Sequence, residues 1–209
     1  HWFGCHYKTI TSDTGTVVKV VGKLADISRQ RSREQELREQ AMRDVLTGIY
    51  NKAGEKLIDG MVKEKGQGLF LMLDLNDFKS INDTMGHAAG DAILTEMGRV
   101  LKGTCRENDI VARIGGDEFV MFLPGAFDWQ TGKRKIGEIQ ESLRTVMISA
   151  WGIRGIRASI GAALCPEDGL DYETLFKAAD EAMYLDKEQS KNRNESREAG
   201  EEKQDRTIS

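Results

Sequence analysis

Arg113-Ile114-Gly115-Gly116-Asp117-Glu118-Phe119-Val120 is the stretch on which the reading of this sequence turns. Two apolar runs, Ile110-Val111-Ala112-Arg113-Ile114 and Phe119-Val120-Met121-Phe122-Leu123, flank a Gly-Gly pair, the signature of a β-hairpin. The glycines let the backbone turn tightly and approach a ligand. Asp117 and Glu118 follow at the tip, projecting away from the packed faces. Adjacent carboxylates repel one another unless a cation neutralises them, so the pair marks either a solvated turn or a metal site.

Upstream, Leu69-Phe70-Leu71-Met72-Leu73 is a continuous apolar run suited to a central strand buried on both faces. Asp74 ends it, at the strand end where α/β sheets place ligand-binding groups. A hairpin lying beside this strand would bring Asp74, Asp117 and Glu118 together around a hard, oxygen-seeking ion, magnesium being the natural choice where phosphates are the other ligands. The segment Phe78 to Asp91 reads as loop and turn, with Lys79 available as a point charge for a triphosphate. Asn82 and Asp91 offer groups to read a purine edge, and His87 reads as a packed or capping histidine.

Helical spacing is visible over 92–101, 135–148 and 172–185, and strand character over 158–164. Interleaved with the hairpin and the apolar run, these predict an α/β (α+β) domain with helices on a mainly antiparallel central sheet. Residues 1–27 contain two β-branched stretches around Ser12-Asp13-Thr14-Gly15, a second hairpin. Residues 28–44 have no Gly or Pro and favour a helix. The seam Ile27, Gln30, Glu34, Leu37, Ala41, Asp44 is apolar only at Ile27, Leu37 and Ala41, so a solvated linker and a short parallel coiled coil both remain open. Residues 194–209 carry a single sizeable aliphatic side chain, Ile208, and read as a disordered tail.

The 209 residues suffice for one ordinary domain with attached segments, and a net charge of −4 argues against nucleic acid as a partner. The three cysteines, Cys5, Cys105 and Cys165, form no paired motif, which fits a reducing cytoplasmic compartment. No run approaches the length of a membrane span, although a longer parent protein could be membrane-attached through further segments.

Five motifs in one order resemble the GGDEF family: Asp44 to Asn51, Asp74 to Lys79, Asn82 through Gly86-His87 to Asp91, Gly115 to Phe119, and Ala179 to Tyr184 with Lys187 and Lys191. The resemblance covers 45–193 and implies a palm-like nucleotidyl cyclase fold and diguanylate cyclase activity, two GTP being condensed to cyclic di-GMP and pyrophosphate. It implies a homodimer, joined through the linker helix, in which two such domains face each other. It also implies two Mg2+ per half-site, with Mn2+ as the alternative, held by Asp74, the Leu75 carbonyl, Asp117 and Glu118. Lys79, the amides near Asp77 and Phe78, Lys187 and Lys191 would meet phosphates, and Asn82 and Asp91 the guanine. Arg106 and Asp109 match the family's R-x-x-D product-inhibition site. Lys52, Asn76, Asp186 and Ser190 depart from the usual pattern, none at a metal ligand. Residues 22–28 resemble the end of a PAS sensor domain. A catalytically silent module binding GTP or cyclic di-GMP, and an ATP-using cyclase, are the competing readings.

Overall fold

The run Leu69–Leu73 forms the middle of β3 (Gly68–Leu75), and every residue of that strand is buried. Side chains alternate across a strand, so the run feeds two cores at once. Leu69, Leu71, Leu73 and Leu75 join one apolar cluster, while Phe70 and Met72 join the other. This is why the sequence shows an unbroken apolar stretch instead of a polar-apolar alternation.

The computed structural model describes residues 1–125 and 127–187. The remaining elements are β1 (Phe3–Thr11), β2 (Val17–Asp26), α1 (Ser28–Ala41), α2 (Gly54–Lys65), α3 (Phe78–Met85), α4 (His87–Thr104), β4 (Ile110–Arg113), β5 (Glu118–Pro124), α5 (Trp129–Arg144), β6 (Met147–Ile148), β7 (Ile153–Arg154) and β8 (Ala158–Cys165). Residues 172–187 form a last helix, α6. The central sheet runs β4-β5-β3-β8, antiparallel throughout. On one face, Ile93, Leu94, Met97 and Leu101 of α4 and Ile139 and Leu143 of α5 cover the odd-numbered leucines of β3. On the other, Ile58 and Val62 of α2 and Leu175, Ala179 and Met183 of α6 cover Phe70 and Met72. Each of the Val, Leu, Ile and Met side chains among these contributes about 1.5–3 kcal/mol by leaving water. The expected helices-on-antiparallel-sheet architecture is the one observed.

The chain divides into two units, 1–42 and the part from Arg43 onward. In the first, β1 and β2 pair from Phe3↔Asp26 to Thr11↔Val17 around a turn closed by the Gly15 amide on the Ser12 carbonyl. Helix α1 ends at Ala41, earlier than the expected Asp44, and buries no residue. Asp44 instead caps the next segment, its carboxylate accepting from the amide and hydroxyl of Thr47.

Three local expectations are corrected. The helix expected over 135–148 runs from Trp129 to Arg144, started by Asp128 accepting the Thr131 amide. Its apolar pattern continues past the helix because Val146 still packs in the core while Met147 and Ile148 enter the small β6–β7 hairpin. The segment read as loop after Asp77 contains helix α3, whose 3-4 spacing is carried by Phe78, Ile81 and Met85, with Phe78 and Ile81 packed against the main core. His87 is exposed, and no side chain caps the start of α4, so it is neither packed nor capping. The tail from 194 and the residues Ser190 and Lys191 lie outside the described residues.

Candidate active site

Register places Glu118 directly opposite Asp74, at the start of β5 and near the end of β3. The Leu75 amide donates to the Asp117 carbonyl at 3.3 Å, fixing the approach of the loop to the strand end. On the other side of β3, Asp74 pairs in register with Ser159 of β8, and the Ser159 hydroxyl meets the Asn76 side-chain oxygen at 2.9 Å. The hairpin and the apolar strand are thus neighbours, as the sequence required for the three carboxylates to share a site.

The loop between β4 and β5 has its own supports. Arg113 donates through Nε and Nη2 to the Gly116 carbonyl at 3.1 and 2.8 Å, and its Nη1 lies 3.3 Å from both oxygens of Asp44. One guanidinium therefore ties the Gly-Gly segment to the Asp44–Thr47 turn, a fork that lysine could not reproduce. Neither Gly115 nor Gly116 adopts a positive φ, so left-handed backbone is not what selects glycine here. At Gly115 the requirement is space: a Cβ would collide with the Glu118 carboxylate folded back against it. Asp117 and Glu118 are consequently half-buried, not the exposed tip residues expected from the sequence.

Burial, followed by the charge of Asp74, pushes the Asp117 carboxyl above its ordinary value. Glu118 is raised by burial, then by Asp117, Asp74 and Asp180 of α6. Four carboxylates crowd one end of the sheet, and the compensating charge comes from α6: Lys187 Nζ lies 2.6 Å from Asp74 Oδ1. That ammonium stands where a cation is needed. The donors are hard oxygens carrying excess negative charge, a chemistry that fits a divalent ion such as magnesium. Among the described residues no group of three His, Cys, Asp or Glu side chains is arranged as a metal-holding cluster.

Asp77, the residue just before helix α3, is a non-glycine residue with φ of 60°, an uncommon left-handed conformation that turns the chain into the helix. A cavity of about 180 Å³ lies at this turn, lined by Asn76, Asp77 and Phe78 together with Ile81 and Arg157. Asn82 of α3 is pressed against Gly90 of α4, where a Cβ would strike its side-chain oxygen. This close crossing sets Asn82 beside the position that carries Asp91. Lys79 and Asp91 are exposed, and among the described residues the side chains of Lys79, Asn82 and Asp91 have no hydrogen-bond partner, which leaves them free for a ligand.

Arg106 and Asp109 sit away from this cluster, before β4. The Asp109 carboxylate accepts from the Arg106 amide at 2.7 Å, and both residues border two cavities, of about 310 and 370 Å³. Sequence reasoning missed Arg113, Asp180 and the Lys187–Asp74 pair. Arg113 stood inside the quoted motif with a polar side chain in a strand, which was its one visible signal; the other two depend on where α6 docks.

Residues 41–193 match the family described as "Diguanylate cyclase, GGDEF domain". The diguanylate cyclase TpbB of Pseudomonas aeruginosa is 32% identical over 170 residues, covering 78% of this chain and 39% of that protein. The diguanylate cyclase DgcS of Shewanella oneidensis is 32% identical over 165 residues, covering 76% of this chain and 53% of that one. Among solved structures, the isolated GGDEF domain of TpbB superposes with a TM-score of 0.66 at 34% identity, covering 70% of this chain and 89% of that one. The coiled coil and GGDEF domain of DgcB from Caulobacter crescentus, in complex with c-di-GMP, gives 0.68 at 26% identity, covering 78% and 88%. The chain spans 39% to 53% of the length of the two curated relatives named. No helix among the described residues is long and apolar enough to cross a membrane.

Proposed function

We propose, since the chain belongs to the GGDEF diguanylate cyclase family, that it condenses two GTP into cyclic di-GMP and pyrophosphate. The observation that carries this reading is the register of Asp74 against Glu118, which gathers three family carboxylates and a lysine at one sheet end. Each domain holds one GTP, and two chains face each other to complete the reaction. The 3′-oxygen of one GTP bonds to the α-phosphorus of the other as the bond to the β-phosphate oxygen breaks, and the same exchange in the opposite sense closes the ring.

Asp74, the Leu75 carbonyl, Asp117 and Glu118 would hold two magnesium ions, which when bound supply Lewis acidity toward the 3′-hydroxyl and the phosphate oxygens. Asp117 or Glu118 receives the hydroxyl proton, each being a carboxylate at the same sheet end as Asp74. Lys187 exchanges Asp74 for a phosphate oxygen when substrate arrives, with Lys191 beside it. Lys79 and the turned amides at Asp77 and Phe78 bind the remaining phosphates. Asn82 and Asp91 read the guanine edge, Asp91 accepting from N1–H and the 2-amine. Product bound by Arg106 and Asp109 restrains the enzyme. Residues 1–27 serve as the end of a PAS-like sensor, and α1 brings two chains together in the cytoplasm.

A second reading, a silent module that binds GTP or cyclic di-GMP, draws on the commitment of Asp74 to Lys187. Competition between GTP and ATP in the presence of magnesium, with products separated, tests the proposal. Turnover of GTP alone is expected; equal consumption of ATP, or of neither, would refute it.

A further inference from the structure

The turn from β3 into α3 is anchored on β8, the edge strand of the sheet. The Arg157 carbonyl accepts the Asn76 amide at 2.9 Å, one rung beyond the Leu75↔Ala158 pair. Opposed residues of an antiparallel ladder share a face, so Arg157 falls on the face that carries Asp74, Asn76 and Ser159. The Ser159 hydroxyl, 2.9 Å from the Asn76 side-chain oxygen, marks that face. Arg157 also lines the cavity of about 180 Å³ at Asn76, Asp77 and Phe78. Its main chain is thus fixed against the residues whose amides turn into α3.

Two other cations at this end of the sheet already have partners: Arg113 is committed to Gly116 and Asp44, and Lys187 to Asp74. Helix α6 is brought to β8 by Asp186, whose carboxylate accepts the Ile160 amide at 3.3 Å, so Lys187 and Arg157 flank the rung formed by Asp74 and Ser159. Arg157 is exposed, and among the described residues its side chain makes no ion pair or hydrogen bond. A free guanidinium on a fixed backbone, beside turned amides and close to carboxylates suited to magnesium, completes an arrangement for a polyphosphate. Its planar fork can donate to two phosphate oxygens at once, which an ammonium cannot do.

We infer that Arg157 is a substrate-binding residue: its guanidinium donates to the terminal phosphates of the GTP held at Asp77 and Phe78. The inference rests on the GTP-binding reading given above. It makes Arg157 a discriminator of triphosphate from monophosphate, with no part in reading the base.

The test is equilibrium dialysis of two guanine nucleotides with magnesium against the full chain, for wild type, Arg157→Gln and Arg157→Lys. One nucleotide is the α,β-methylene analogue of GTP, in which carbon replaces the oxygen of the bond that breaks; the other is GMP. Arg157→Gln should weaken the triphosphate about tenfold, with a shallower dependence on salt, and change GMP by less than about twofold. Arg157→Lys should recover part of the loss, since it keeps the charge without the fork. Wild-type triphosphate affinity in Arg157→Gln would overturn the inference. Equal weakening of both nucleotides would overturn it too, by assigning Arg157 to the shape of the turn. A wild type that binds no triphosphate also overturns it, whereas one that binds triphosphate and forms no cyclic di-GMP leaves it standing while the cyclase reading falls.

Discussion

Lys187 Nζ reaches Asp74 Oδ1 at 2.6 Å, joining helix α6 to the end of the central strand across 113 positions of sequence. The pair sits among Asp117, Glu118 and Asp180, so the lysine offsets a local excess of negative charge. Its side chain is 36% exposed, which limits what the contact adds to stability.

Lys187→Met should therefore destabilise the fold by about 1 kcal/mol or less near neutral pH. A carboxyl whose folded pKa is raised weakens the fold when ionised; the weakening is full above the folded pKa and is relieved as pH falls through it. The Met variant raises Asp117 and Glu118 further, so its deficit should shrink on acidification. Thermal unfolding of both proteins from pH 8 to pH 4 checks this, and a deficit independent of pH would point to lost packing instead of charge.

Gly115→Ala and Gly116→Ala should separate two reasons for glycine. At Gly116 an added Cβ meets nothing within 4 Å, and stability should stay within about 0.5 kcal/mol of wild type. At Gly115 the methyl displaces the Glu118 carboxylate, so product formation should fall at least about tenfold while the fold persists. Paired melting curves and initial rates decide the matter.

The Asp44–Arg113 pair should be visible in the acid limb of stability. Burial opposes ionisation of Asp44, but hydrogen bonds from Thr47 and the charge of Arg113 outweigh it and hold the carboxyl below its ordinary value. Stability from such a group is present above the unfolded pKa, about 4, and is lost as pH falls through the lower folded value. Asp44→Asn should cost about 1 kcal/mol at pH 7 and progressively less below pH 4 in urea unfolding. A constant difference down to pH 2 would assign the loss to geometry.

Much of this was legible from residues alone. The unbroken apolar run of β3 announced a strand buried on both sides, and Gly115-Gly116 between two apolar stretches announced a hairpin. That the two are neighbours was only a condition in the sequence; the structure supplies it by pairing Asp74 with Glu118. Helix α3 was obscured because Asn82, Asp83 and Gly86 favour turns; packing of Phe78 and Ile81 on the core outweighs that propensity. The place of Asp180 and Lys187 depends on the docking of α6 through Leu175, Ala179 and Met183, a tertiary event that no local pattern encodes.

Asp91→Ala should relax discrimination against ATP by at least about tenfold, because the guanine N1–H and 2-amine lose the carboxylate that accepts from them. Relative rates with GTP and ATP report it directly. Unchanged selectivity would move base recognition away from the α3–α4 crossing.

Product formation itself tests the central claim most directly. Purified chain incubated with GTP and magnesium, its products resolved by chromatography, should yield cyclic di-GMP and pyrophosphate, and Glu118→Gln should yield neither while retaining the wild-type melting profile. Binding of GTP or cyclic di-GMP by the wild type without any turnover would contradict the account and identify the chain as a silent nucleotide-binding member of its family.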